Sequence, residues 1–181
     1  MDTESLISQV LSCGATKATL LSQDEIVLSS EFRKICEGNG CGSYGRCWAC
    51  PPYCGDIETL MAKVRSFPHA IWFQTVGQIE DSFDFEGMTE VGRQHAEVCQ
   101  AVKKSVLPEI PVKTFLLGAG GCHLCETCAK RTDEPCRHPE DVIISLEGCG
   151  VDVYNTTKPT ALKYINGANT VTYFGMLLFG D

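Results

Sequence analysis

A chain of 181 residues with 44% apolar content is long enough for one buried core and too apolar for a disordered segment. Its net charge of −8 speaks against nucleic acid as a main partner, because phosphate binding wants a basic surface; a basic redox partner, reached by electrostatic steering, fits better. No apolar run reaches the length of a membrane span, and Met1-Asp2-Thr3-Glu4 lacks the basic and apolar regions of a signal peptide, so the expected compartment is the cytoplasm, with no membrane partner.

Elements follow in chain order. Leu6, Ile7, Val10 and Leu11 form one face of a short helix over Ser5 to Leu11, which Cys13-Gly14 ends. Ala15 to Leu21 reads as a strand, and Glu25 to Leu28 as a second, weaker one. Cys36 to Cys54 is rich in glycine and reads as a loop throughout. Asp56 is a candidate N-cap, followed by an apolar helical face of Ile57, Leu60, Met61 and Val64 to about Ser66. Ala70 to Val76 reads as a buried strand, and Gly77 to Gly87 as a polar surface loop. Thr89 to Leu107 is the longest helix, with His95 on its apolar stripe of Val91, Val98, Val102 and Val106. A histidine in that setting is expected to be a hydrogen-bonded core residue, and Cys99 beside it a packing residue. Pro108 and Pro111 stop the helix. Val112 to Leu117 is a strand that leads into Gly118-Ala-Gly-Gly-Cys122. The third glycine of a dinucleotide fingerprint would fall on His123, so that reading fails. His138-Pro139-Glu140-Asp141 looks like a helix start, with Val142, Ile143 and Leu146 as its buried face. Glu147 to Gly150 breaks it. Val151 to Val153 and Val171 to Phe179 add strands, the last crossing the middle of the sheet. The fold expected is α+β or α/β, a single domain over residues 1–181 with a central mixed sheet, helices on its flanks and both cysteine loops at sheet ends.

Twelve cysteines in a cytoplasmic chain point to metal rather than disulfides. Five fall between Cys36 and Cys54 and four between Cys122 and Cys136; Cys13, Cys99 and Cys149 stand apart. The second loop reads Cys122-x2-Cys125-x2-Cys128-x7-Cys136, with Pro135 beside the last thiol. A triple run at two-residue spacing is how bacterial ferredoxins wrap a chain around a 4Fe–4S cluster. Four-cysteine zinc is the alternative, although zinc more often uses two separated C-x2-C knuckles. In the first loop Cys36, Cys41 and Cys50 are the favoured ligands, with Cys54 or Cys47 as the fourth. Three protein thiolates alone would leave one iron open to substrate. Cys47-x2-Cys50-x3-Cys54 runs opposite to the order used by radical enzymes of S-adenosylmethionine, so that activity is not expected. His123 and His138 flank the second loop and are candidates for moving protons or for capping. Cys149, between two glycines, is either a thiol nucleophile or a buried residue.

The sequence also resembles a family of small, cysteine-rich bacterial and archaeal proteins described as predicted metal-binding, a domain of unknown function. The residues that carry the resemblance are Tyr44-Gly45 through Trp48-x-Cys50-Pro51-Pro52, then Cys122-x2-Cys125-x2-Cys128 with Pro135-Cys136-Arg137-x-Pro139, then Ser145-x-Glu147-x-x-Gly150-Val151-Asp152-Val153, and Val171-Thr-Tyr-Phe-Gly175. The resemblance implies metal binding, as an iron–sulfur protein, and assigns no reaction. It matches Cys36, Cys41 and Cys50 and leaves Cys47 and Cys54 outside the pattern. The function expected is that of an iron–sulfur protein with one or two 4Fe–4S clusters, carrying electrons in an anaerobic redox pathway to an unidentified redox partner. The alternatives are an enzyme with substrate at an open iron of the first site, and a zinc-stabilised interaction module.

Overall fold

The computed structural model describes residues 2–180. Helix α1 (Thr3–Ser12) starts at Asp2, whose side chain accepts from the Glu4 N–H. Strand β1 (Lys17–Ser22) follows, then helices α2 (Glu31–Glu37) and α3 (Ile57–Arg65), strand β2 (His69–Gln78), helix α4 (Phe85–Ser105), strands β3 (Thr114–Gly118) and β4 (Ile144–Ser145), helix α5 (Val153–Thr157) and strand β5 (Thr170–Phe179). The five strands form one mixed sheet in the order β1-β2-β5-β3-β4, with only β3 and β4 parallel. The fold is α+β, and β5 lies at the centre, as its run of apolar residues predicts.

Alternation along the strands sends side chains into two cores. Ala70, Trp72, Phe174, Met176 and Leu178 face α3 and the turns around Cys149. Ile71, Phe73 and Leu177 face α1 and α4 on the other side. Gly175 lies in β5 where the Phe73 ring crosses it: a Cβ there would sit 2.3 Å from the ring. His95 is fully enclosed against this second core. Its Nε2 lies 2.9 Å from the Phe174 carbonyl and its Nδ1 2.9 Å from the Thr75 hydroxyl. A carbonyl only accepts, so Nε2 carries the proton and Nδ1 accepts from Thr75. The histidine on the apolar stripe is thus a satisfied core residue.

Several sequence expectations give way. Glu25 to Leu28 is not a strand. It is the end of a 3-10 turn, Gln23–Glu25, followed by one bridge from Leu28 to Val151. Val151 to Val153 makes only that bridge before Asp152 caps α5 by accepting from the Asn155 N–H. The segment after Cys136 forms a 3-10 turn, Pro139–Asp141, and then β4 rather than a helix, because Ile144 and Ser145 pair alongside β3. The first cysteine loop is not loop throughout, since Cys36 occupies the last turn of α2. The long helix begins four residues early, at Phe85, where Asp84 accepts from the Gly87 N–H.

Candidate metal centre

Strands β3 and β4 both end beneath the cysteine loops. The chain leaves β3 at Gly118 and reaches Cys122 within four residues, so the second loop starts at the sheet's edge of backbone. The first loop is delivered by α2, which ends at Gly38, and it turns through Asn39, Gly42 and Gly45, all at positive φ. Positive φ at these points is what the glycines permit. The Tyr44 N–H donates to the Asn39 side chain and the Gly45 N–H to the Pro51 carbonyl, which folds the loop back on itself. The two loops touch. The Trp48 indole N–H donates to the Glu134 carbonyl at 3.0 Å, and the Lys130 ammonium lies over the rings of Trp48 and Tyr53 at 4.9 and 4.3 Å. Such cation–π contacts are worth most where they are shielded from water.

All twelve cysteines are free thiols, and nine of them gather in these loops. All but Cys54 line two cavities whose membership does not follow the sequence, and the two sets meet where Cys47 and Cys50 pack with Cys122 and Cys128. Cys36 and Cys50 each feel the charges of both Cys41 and Cys54, and Cys36, Cys41 and Cys50 line one cavity of about 540 Å³. Cys54 sits at the edge of this group, packed against the first core. Cys47 turns the other way. It lines a tight cavity of about 20 Å³ together with Cys122, Cys125, Cys128 and Cys136. Of the two candidates for a fourth ligand in the first loop, Cys54 stays with Cys36, Cys41 and Cys50, and Cys47 joins the second group. Its apolar neighbours Trp48 and Ala49, which line the same cavity, were the available signal.

Charge is distributed to match. A hydrogen bond from Cys50 pulls the Cys47 thiol down, against burial, and the N–H groups of Cys122 and Ala49 add to the effect. The same contact and burial push Cys50 up. Burial pushes Cys36 up, Glu147 adds to it, and Arg33 opposes both. Burial likewise raises Cys122, with the Leu124 N–H acting against it and the charges of Cys47, Cys128 and Cys136 acting with it. Cys149 is fully buried and its thiol is pushed up to about 12 by that burial, so it is no nucleophile. Cys99 is pushed up to about 12 in the same way, and Cys13 packs against the second core.

Arg33 is the functional-looking residue that sequence reading passes over. It is one helical turn before Cys36 and is buried, and it donates to the Gly55 carbonyl at 3.0 Å and the Gly148 carbonyl at 2.8 Å. His138 lines the second group's cavity. His123 lines a separate cavity of about 310 Å³ between α4 and the turn after β3, with Arg93, Glu97 and Gln100.

Cysteines gathered at this density in two touching loops are the kind of donor that zinc, other soft metals and iron–sulfur groups take. A sequence model spanning residues 19–179 matches the chain. The chain belongs to the predicted metal-binding protein family DUF2284. No curated protein and no solved structure matches it. Membership makes metal binding the family-level expectation for these cysteines. Among the described residues no three His, Cys, Asp or Glu side chains converge tightly enough to hold a single metal ion. The sulfurs surround two centres without closing on one point. No helix among the described residues is long and apolar enough to cross a membrane.

Proposed function

We propose that this DUF2284 protein carries iron–sulfur clusters and transfers single electrons. The observation that carries this reading is the gathering of nine free cysteines into two adjacent groups. Cys36, Cys41, Cys50 and Cys54 would hold one 4Fe–4S cluster, and Cys122, Cys125, Cys128 and Cys136 the other, with Cys47 beside the second. Lone zinc is the alternative for the same thiols, although it more often uses two separated C-x2-C knuckles than the triple run of Cys122, Cys125 and Cys128. A bound cluster supplies reversible one-electron chemistry, and the chain supplies its insulation. Cys47 and Cys50 are three residues apart and in hydrogen-bond contact, so one short stretch of backbone links the two groups. The acidic surface suits a basic redox partner, and a reducing cytoplasm suits free thiols.

The test is iron, acid-labile sulfide and zinc content on anaerobically purified protein, with absorption spectra before and after dithionite. About eight irons and eight sulfides per chain are expected from two four-cysteine sites. Zinc without sulfide sinks the proposal and leaves a structural module.

One observation favours a second reading, in which the first group is an enzyme's reaction site. Cys36, Cys41 and Cys50 face a cavity walled by Tyr44, Tyr164 and Phe174, and Cys54 is not part of its lining. Three thiolates there would leave one iron open toward the cavity. Under this reading Cys54→Ala retains the first cluster. Loss of about half the iron in that variant, by the same stoichiometry, rules it out.

A further inference from the structure

Helix α2 is built inside out. Arg33 is only 9% exposed, while Ile35, two residues on, is 68% exposed. A surface helix ordinarily does the reverse. Arginine keeps its charge in any folded setting, so α2 holds a permanent cation in the interior beneath the first cysteine loop.

A buried cation is costly unless an anion meets it. The guanidinium's neutral partners are the Gly55 and Gly148 carbonyls, and its buried Nε has no partner at all. No carboxylate among the described residues forms an ion pair with it. Glu31 in the same helix is taken by Lys34 at 2.7 Å. Asp56 feels the charge of Arg33 but spends its carboxylate on the Thr59 N–H and hydroxyl. Glu147 faces Cys36 and makes no bond to Arg33. What the guanidinium does meet is sulfur: Nη2 lies 3.8 Å from Cys54 Sγ, and its charge reaches Cys36 and Cys149 as well. Cys149 is fully buried, so the side chains that the guanidinium faces at the loop are the sulfurs of the first group, Cys54 first among them.

We infer that Arg33 is the counter-charge of the first cysteine group, a positioning residue that holds Cys54 and sets how readily an electron enters that group. The inference rests on the cluster reading above. One electron from a reductant adds one negative charge at the first group, with no bond made or broken and no proton moved. A fixed cation and its hydrogen bond to a ligand sulfur favour the more negative, reduced form, so Arg33 raises the potential of this group. Among the described residues no arginine is shown bonded to a sulfur of the second group. Its nearest bases, Lys130 and Arg137, pair with Asp133 and Glu134.

The experiment is a dithionite titration followed by electron paramagnetic resonance on the anaerobically purified full chain, with iron and sulfide counted for every sample. The signal that disappears in Cys41→Ala belongs to the first group. In Arg33→Gln the first group's reduction equilibrium is expected to fall at least tenfold, about 59 mV for one electron, while the second group's stays put. Arg33→Lys, which keeps the charge, is expected to recover part of the loss. Full iron with an unmoved first potential overturns the inference, and so do equal shifts in the Gln and Lys variants. If Arg33→Gln does not fold, Arg33→Lys decides. A folded, iron-loaded Lys variant supports a role for charge, and a Lys variant that fails equally shows that only the bonds to Gly55 and Gly148 matter. Wild-type protein without iron and sulfide sinks the cluster reading itself, an outcome distinct from iron present with no shift.

Discussion

The two cysteine groups are assembled from the same ligand chemistry on opposite plans. The first sits on the end of a helix and a glycine-rich loop, opens on a cavity of about 540 Å³, and includes the exposed Cys41. The second is pressed around about 20 Å³ and tied across by Trp48, Lys130 and the Arg137 bond to the Thr127 carbonyl at 3.1 Å. Three thiols of the first group share one wide cavity with a buried arginine beneath the loop, whereas the second group closes on its own narrow space and meets wider cavities only at its margins, through Cys122 and Cys136. Identical side chains therefore acquire different access and different electrostatics from the backbone that carries them. On the proposed cluster reading, that difference would give the second group the relay and the first the contact with another molecule.

The largest effects should come from the ligands themselves. Removing one thiol from either group, as in Cys50→Ala or Cys125→Ala, is expected to take about half of the iron, and the double variant nearly all of it, by the stoichiometry of two four-cysteine sites. If a single substitution emptied both groups, they would be one centre and the comparison would collapse. Chelators should also tell them apart. An iron chelator is expected to strip the first group severalfold faster than the second, because Cys41 is exposed whereas all four cysteines of the second group are half-buried. Iron released over time in Cys41→Ala and in Cys125→Ala reports each rate separately.

A control away from both groups keeps acid effects distinct. His95 is enclosed behind the sheet, and burial pushes its pKa down from 6.5 to about 4. Between those values the unfolded chain takes up a proton that the folded chain refuses. Stability is therefore lost as pH falls from about 6.5 toward 4, by up to about 3 kcal/mol. Denaturant unfolding at several pH values should show that slope, and His95→Gln should flatten it. If the slope survives in the variant, acid acts through the cysteine loops instead, and acid loss of metal then becomes a test of the groups themselves.

Much of this was legible in the residues. The α4 stripe, the β2 and β5 runs and the Asp56 cap are local patterns, and they form where the patterns place them. His95 was readable as a core residue because a histidine on a continuous apolar face has nowhere else to go. The segment from His138 to Leu146 was not readable, since its turn chemistry suits a helix start and only the non-local pairing with β3 makes it a strand. Spacing along the chain also hid the division of the cysteines. Cys47 and Cys50 look like one knuckle and do touch, yet each lines a different cavity, Cys47 that of the second loop and Cys50 that of the first. Arg33 was missed because a periodicity count treats arginine as a surface residue. Only the contacts reveal that the exposed Ile35 and the buried arginine have changed places.

The smallest effect concerns the clamp. Trp48 joins the loops through one hydrogen bond to Glu134 and a ring shared with Tyr53 and Lys130. Trp48→Phe keeps an aromatic ring and deletes the N–H. The Glu134 carbonyl is close to solvent and regains a partner from water, so the change should cost about 1 kcal/mol in denaturant unfolding, the worth of one ordinary hydrogen bond. Its more telling consequence is on rates. Since the bond lands on the residue next to Pro135-Cys136, loosening it should speed metal loss from the second group and leave the first unaffected. Equal acceleration of both would mean that Trp48 supports the whole cysteine region as one body. No acceleration at all would mean that the second group is enclosed by its own ligand loop, with the indole only resting against it.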